Sequence, residues 1–330
     1  MRRSSHAWPN VAARVLALAL TVTLTASCGL LGSKDHPAAS GQLPVLRVAT
    51  MPLVDLAPLH LGIEDKTFAA EGVDVRLEPA GSGQAGLAKL LAGEVDIAYS
   101  GDVPVVLAQS KNPALGLRIV ATASSASPHS TAVMVRDKSS IKSLSDLEGK
   151  RIAINGRGGV SDTLTMAVMD EHHVAYDSVR WMEMGFPNMA GALSHGDVDG
   201  AFLTEPFVTS AAKQGAIAIA DPASGATENF PISCYATTAA KAGSNAAAIT
   251  AFQRGLRRAS EKARTDRRSI ERMVISHAQV DQDTAALLAM PAFGSVPSAT
   301  EMQRVPDLLY KFHVLQEKFT IAPLILPQPS

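Results

Sequence analysis

Gln84-Ala85-Gly86-Leu87-Ala88-Lys89-Leu90-Leu91-Ala92-Gly93-Glu94-Val95-Asp96-Ile97-Ala98-Tyr99 contains the repeating unit of the fold. Gln84–Leu91 reads as a helix that stops at Gly93, and Val95–Tyr99 reads as a short strand. A glycine just past the last helical residue ends a helix, and a β-branched run after it begins a strand. Upstream, Val45–Thr50 is a strand, Leu56–Ala70 a helix ending near Gly72, and Val73–Leu77 a strand. Downstream, Val103–Ser110 is a helix and Leu117–Ala121 a strand. Strands alternating with helices predict an α/β protein with a mostly parallel, helix-covered sheet.

The rhythm then restarts. Ala132–Val135, Lys150–Ile154, Val179–Glu183, Gly200–Leu203 and Ala216–Ala220 read as strands. Ser161–His172, Met189–Ser194 and Pro206–Gln214 read as helices. From Asn245 to Lys318 the pattern is helical, with no clear strand, which suggests a block packing back on the first sheet. Two α/β lobes visited one–two–one require two hinge crossings. They are placed near Ser124–Ser130 and Ile232–Thr237, giving 45–125 with 236–330 as lobe one and 126–235 as lobe two. A cleft between lobes is where a small ligand binds.

Residues 1–27 carry Arg2, Arg3 and Arg14, an apolar run from Val15 to Leu24, and the small residues Ala26 and Ser27 before Cys28. That is the pattern of an export signal, and its apolar core is too short to span a bilayer. The cysteine after small residues resembles the lipobox of bacterial lipoproteins, where the sulfur is lipidated and the cysteine becomes the new N-terminus. Thr25 departs from the Leu or Val usual at its position. A plain secretory signal and an uncleaved anchor are the alternatives. Residues 28–44, rich in Gly, Ser and Pro, read as a flexible tether. Cys234 is the second of two cysteines, so an exported chain would hold no internal disulfide, and its apolar neighbours suggest a buried thiol. Arg254, Arg257, Arg258, Lys262, Arg264, Arg267 and Arg268 have helical spacing and alternate with Glu261, Asp266 and Glu271. This is a solvated helix face and not a nucleic-acid surface.

Three stretches carry a family resemblance. Leu53-Val54-Asp55-Leu56-Ala57-Pro58-Leu59-His60-Leu61-Gly62 leads into Phe68-Ala69-Ala70-Glu71-Gly72-Val73-Asp74-Val75. Leu87 to Ala98 holds a Gly-Glu-Val-Asp-Ile-Ala run, and Gly196-Asp197-Val198-Asp199-Gly200-Ala201-Phe202-Leu203-Thr204-Glu205-Pro206-Phe207 forms the third. In this order and spacing, over about residues 45–320, they resemble the ABC-importer substrate-binding proteins of the nitrate/sulfonate/taurine and thiamine-precursor family. The resemblance implies a two-lobed type II periplasmic-binding-protein fold with two hinge crossings and a helical C-terminal block on lobe one. It implies an extracytoplasmic solute-binding component that hands a small anion, zwitterion or heterocycle to an ABC permease in the membrane. The chain would be exported, lipid-anchored through Cys28 on the outer face of the cytoplasmic membrane, and monomeric. A secreted enzyme or a ligand sensor on the same fold are the rivals.

Candidate ligand contacts lie where strands give way to helices. Ser82 and Gly83 precede one helix, Ser100, Gly101 and Asp102 another, and Arg157, Gly158 and Ser161 a third. Unpaired N–H groups at helix starts attract anions, and glycines admit close backbone approach. Arg157 offers a bidentate contact to a sulfonate, carboxylate or nitrate, or is simply solvated. Glu205, before Pro206, could accept a ligand amine, tie the lobes together, or complement a helix dipole. Asp55 and Asp102 share that ambiguity. Among the scarce aromatics, Phe186 and Trp181 flank a strand end and Tyr99 and Tyr235 lie near the cleft or hinge, where a planar ligand would stack. No cofactor, metal or catalytic group is expected: H-E-x-x-H, G-x-S-x-G and Cys-x-x-Cys are missing, and the adjacent His172 and His173 do not share a helix face.

Overall fold

The computed structural model describes residues 42–294 and 296–329. The export signal, Cys28 and the tether up to residue 41 lie outside the described residues. The chain builds two sheets. The first half supplies β1 (Val45–Thr50), α1 (Ala57–Glu64), α2 (Thr67–Ala70), β2 (Asp74–Pro79), α3 (Gly83–Leu91), β3 (Ile97–Gly101), α4 (Asp102–Lys111) and β4 (Leu117–Ser125). The second sheet and its helices follow as β5 (Thr131–Arg136), β6 (Arg151–Ile154), α5 (Val160–Glu171), β7 (Arg180–Glu183), α6 (Phe186–His195), β8 (Gly200–Thr204), α7 (Phe207–Lys213) and β9 (Ala216–Ala220). The chain returns as β10 (Pro231–Thr238), α8 (Ala239–Ser244), α9 (Ala246–Thr265), α10 (Arg267–Ala278), α11 (Gln282–Leu287), β11 (Ala292–Phe293) and α12 (Ala299–Lys311).

The first sheet runs β11-β4-β10-β3-β1-β2 and the second β7-β6-β8-β5-β9. Within the first, β1 is parallel to β2 and β3, and β10 runs antiparallel between β3 and β4. Within the second, β6 is parallel to β7 and β8, while β5 is antiparallel to β8 and β9. Two α/β lobes linked by two crossings follow from this order.

The crossings are residues 126–130 and 221–230. They run side by side, and the Ala126 amide donates to the Phe230 carbonyl at 2.8 Å. The sequence places the second crossing at Ile232–Thr237 and the lobe boundary at Ala236. Instead β10 begins at Pro231, so residues 231–235 pair in the first sheet. An extended run reads the same whether it connects lobes or fills a sheet, and only its partners distinguish the two. The two-residue β11 also breaks the all-helical reading of the C-terminal block; it pairs with β4 and is too short to show alternation.

The predicted helix Leu56–Ala70 divides at Lys66, which turns left-handed at φ 58°. The break drives the Phe68 ring into the core between two glycines. A Cβ on Gly62 would stand 2.6 Å from that ring, and one on Gly255 of α9 would stand 2.5 Å from it. Leu46, Leu59, Ile97, Ile119 and Phe252 belong to the same buried cluster. Val133, Val135, Ile152, Val168 and Met169 form a second buried cluster, between the second sheet and α5. The helical block packs α9 on α1 and α2, as expected of a cover for the first sheet. It also reaches the other lobe. Phe312, just after α12, packs on Met166 and Ala167 of α5, and Lys311 pairs with Asp170 at 2.7 Å. Arg304 donates to the carbonyls of Ala226, Glu228 and Asn229 in the second crossing.

Candidate functional site

The ends of both sheets meet around a cavity with about 520 Å³ of atom-free space, part of it open to solvent. The enclosed space within it is about 50 Å³. Its place beyond the carboxyl ends of parallel strands is where open α/β sheets bind ligands. From the first sheet come Met51, Leu53 and Asp55 after β1, Gly83 and Gln84 opening α3, Tyr99 and Gly101 closing β3, Pro104 of α4, and Ile232 and Ser233 of β10. From the second come Thr131 of β5, Asn155 and Gly159–Ser161 after β6, Phe186 opening α6, and Phe202 and Thr204 of β8.

Asp55 is 4% exposed and anchors one end. Its Oδ2 accepts the Tyr99 hydroxyl at 3.1 Å, the Ser233 hydroxyl at 3.1 Å and the Ser124 hydroxyl. The Ser124 and Ser233 oxygens also lie 2.7 Å apart, and since each hydroxyl has one hydrogen, one of them shares its hydrogen between Asp55 and the other serine. They come from β4 and β10, the strands that lead into and out of the crossings, and face each other in register. Burial, then the Asp55 charge, raises the Tyr99 phenol well above its ordinary value, so it stays a donor. Across the cavity, the Ser161 hydroxyl donates to Asn155 Oδ1 at 2.7 Å and accepts from the Asn155 amide. Phe186 stacks on Phe207 with centroids 5.7 Å apart.

The structure therefore puts Asp55, Gly83, Gly101, Ser161 and Phe186 on the cavity wall. The other candidates lie elsewhere. Ser82 caps α3, its hydroxyl accepting from the Ala85 amide at 3.1 Å. Ser100 is fully buried beneath Gly83, where a Cβ would meet its hydroxyl at 2.8 Å. Asp102 is 1% exposed in the first turn of α4, facing the Cys234 thiol, and neither of its carboxyl oxygens reaches an ordinary hydrogen bond. Burial pushes its pKa up from 3.8 to about 7, and raises the Cys234 thiol well above its usual value.

Arg157 turns out of the cavity. Its guanidinium pairs with Asp162 at 3.3 Å and lies 5.2 Å from the centre of the Trp181 ring. A carboxylate in the first turn of the helix that follows it and an aromatic face hold it locally. Gly158, at φ 64°, gives its amide to Asp162 and borders an outer hollow with Arg157. Burial raises Asp162, while the Gly158 amide, Arg157 and the Gly159 and Thr163 amides pull it back down. Glu205 is 2% exposed. It accepts the Thr209 amide and hydroxyl and, at 3.0 Å, the Ala289 amide of the C-terminal block. Two of its three readings are present: it accepts an amide in the first turn of α7, and it ties the two halves together through Ala289. Burial raises its pKa.

Sequence reasoning missed Ser124, Ser233, Thr131 and Asn155. Ser124 and Ser233 lie far apart in the chain and meet only through the β4–β10 register, which no local pattern announces. Among the described residues no group of three His, Cys, Asp or Glu side chains is placed to hold a metal ion.

Residues 54–268 match the family model described as NMT1/THI5 like. A taurine-binding periplasmic protein of Escherichia coli K12 is 29% identical over 161 residues, 48% of each chain. The chain spans less than half the length of the curated relatives it matches. Among solved structures, the alkanesulfonate-binding protein of Xanthomonas axonopodis pv. citri bound to MOPS superposes with a TM-score of 0.74 at 19% identity, over 87% of this chain and 99% of that one. The periplasmic nitrate-binding protein of Synechocystis PCC 6803 superposes with 0.72 at 12% identity, over 83% of each. These likenesses show the fold.

Proposed function

The chain belongs to the NMT1/THI5-like family, and from that premise we propose that it is the extracytoplasmic solute-binding component of an ABC importer. The observation that carries this reading is the cavity itself, walled by both sheets and bridged by two crossings that lie side by side. Such a molecule opens by bending at the crossings and closes on a small solute. Closure is favoured only by the contacts that the solute makes better in the closed state. Asp55, Gly83, Gly101, Ser161 and Phe186 are the proposed contacts. Ser82, Ser100, Asp102, Arg157, Gly158 and Glu205 shape and brace the loops around them. Among the described residues the wall contains serines and a carboxylate but no histidine, so it offers no Ser–His pair for nucleophilic attack, which favours binding without turnover. Residues 1–27 would direct export and Cys28 would carry the lipid that keeps the protein beside its permease.

Solution scattering on the protein refolded in ligand-free buffer tests this. The expected radius of gyration is that of an open form. It shrinks on adding one compound from a panel of ethanesulfonate, taurine, nitrate and 4-amino-5-hydroxymethyl-2-methylpyrimidine. A radius that no compound changes refutes capture by closure.

A further inference from the structure

We propose that this cavity selects its ligand by a nitrogen-bound hydrogen, carried by a neutral or cationic group, and rejects free anions. Asp55 is the residue that determines the selection. The inference rests on the solute-capture reading and deepens it.

Charge around the wall has one sign. Among the described residues lining the cavity, no Lys, Arg or His appears, and Asp55 is the single Asp or Glu. The guanidinium nearest in sequence to the wall, Arg157, is held outside by Asp162 and Trp181. Of the four helices that open at the wall, α4 and α5 carry an acid in the first turn, Asp102 and Asp162, whereas α3 and α6 carry none. Asp162 already takes the Gly158, Gly159 and Thr163 amides. The Ser82 hydroxyl answers an amide of α3. An anion entering here would shed its hydration beside a carboxylate and apolar side chains such as Met51, Leu53 and Ile232, with no cation to compensate.

The polar groups left over suit a donor. All three protein hydrogen bonds to Asp55 end on Oδ2. Oδ1 has no protein donor among the described residues, and it belongs to a side chain on the cavity wall. A ligand N–H on Oδ1 would complete the carboxylate and form a charge-assisted bond. Thr131, 1% exposed and also on the wall, has a hydroxyl without a partner among the described residues. It supplies a second polar contact. Tyr99, Phe186 and Phe202 surround the remainder with aromatic surface.

The test is calorimetric titration of the full chain with benzamidinium and 4-aminopyrimidine as N–H donors, and with ethanesulfonate and nitrate as anions. At least one donor probe is expected to bind and both anions to fail. Asp55→Asn, which keeps an oxygen for the three hydroxyls, should weaken the donor probe about tenfold or more. Thr131→Val serves as a second variant and should weaken it as well, with circular dichroism confirming that both variants fold. Ethanesulfonate or nitrate binding more tightly than either donor probe overturns the proposal; so does a donor probe indifferent to both variants, or no binding by either. Scattering on the same samples separates the two readings. Compaction by an anion sinks the N–H selection and leaves solute capture standing, whereas a radius that no solute changes sinks capture.

Discussion

Asp102→Asn probes the most heavily perturbed acid beside the cavity. The carboxyl is buried at the start of α4, with the Cys234 thiol as the polar side chain facing it, and its pKa rises from 3.8 to about 7. The folded protein thus keeps this proton where the unfolded chain has lost it. Stability that is full below about pH 4 declines as pH rises and has lost its whole share above about pH 7. The interval between the two pKa values corresponds to about 4 kcal/mol. Asparagine cannot ionise, so the variant lacks this slope. Its amide hydrogens are also poorly partnered in the same spot, which shifts the level of stability, so the slope is the quantity to compare. Urea unfolding followed by far-ultraviolet circular dichroism at about pH 5 and about pH 8 reads it. Between these, the wild-type midpoint should fall by about 1 M more than that of the variant. Parallel profiles for the two proteins would refute the argument that Asp102 is protonated by burial.

Two further perturbations test neighbouring features. Glu205→Ala strands the Thr209 and Ala289 donors and should cost about 2 kcal/mol, with hydrogen exchange at the Ala289 amide accelerating; unchanged protection there would dismiss the tie between the halves. His60 stacks on His277 with centroids 3.7 Å apart, and burial, then the His277 charge, lowers its pKa from 6.5 to about 4. Neutral in the fold while the unfolded chain takes up a proton, it should drain about 3 kcal/mol as pH falls from 6.5 to about 4. His60→Leu should flatten that acid limb in a melting-temperature profile, and a limb as steep as wild type would exclude His60 as its source.

Local signals located the elements well and their partners poorly. β1 was legible from Val45 to Thr50 because a β-branched run flanked by Pro44 and Pro52 has one reading. β10 was legible as extended chain but not as the strand between β3 and β4, because pairing is a long-range property. The division of α1 from α2 depends on where the Phe68 ring finds room, set by Gly255 nearly 190 residues away. Strand–helix junctions exposed Gly83, Gly101 and Ser161, since the backbone there must face the cavity. Charged candidates were harder. Arg157 and Glu205 sit at the right junctions, but Asp162 with Trp181, and Thr209 with Ala289, engage them first. Which way a long side chain turns depends on neighbours that its own segment does not reveal.

The placement of β10 also orders events in time. β3 and β4 are not neighbours until β10 enters between them, and β11, the other partner of β4, comes later still. A chain emerging from its N-terminus therefore completes residues 131–220, which pair only among themselves as strands, before the first sheet has its central member. The half begun second is finished first. Until residue 238 arrives, β4 waits as an unpaired apolar strand, Leu117 to Ser125, and that is the interval in which a holding chaperone has most to shield.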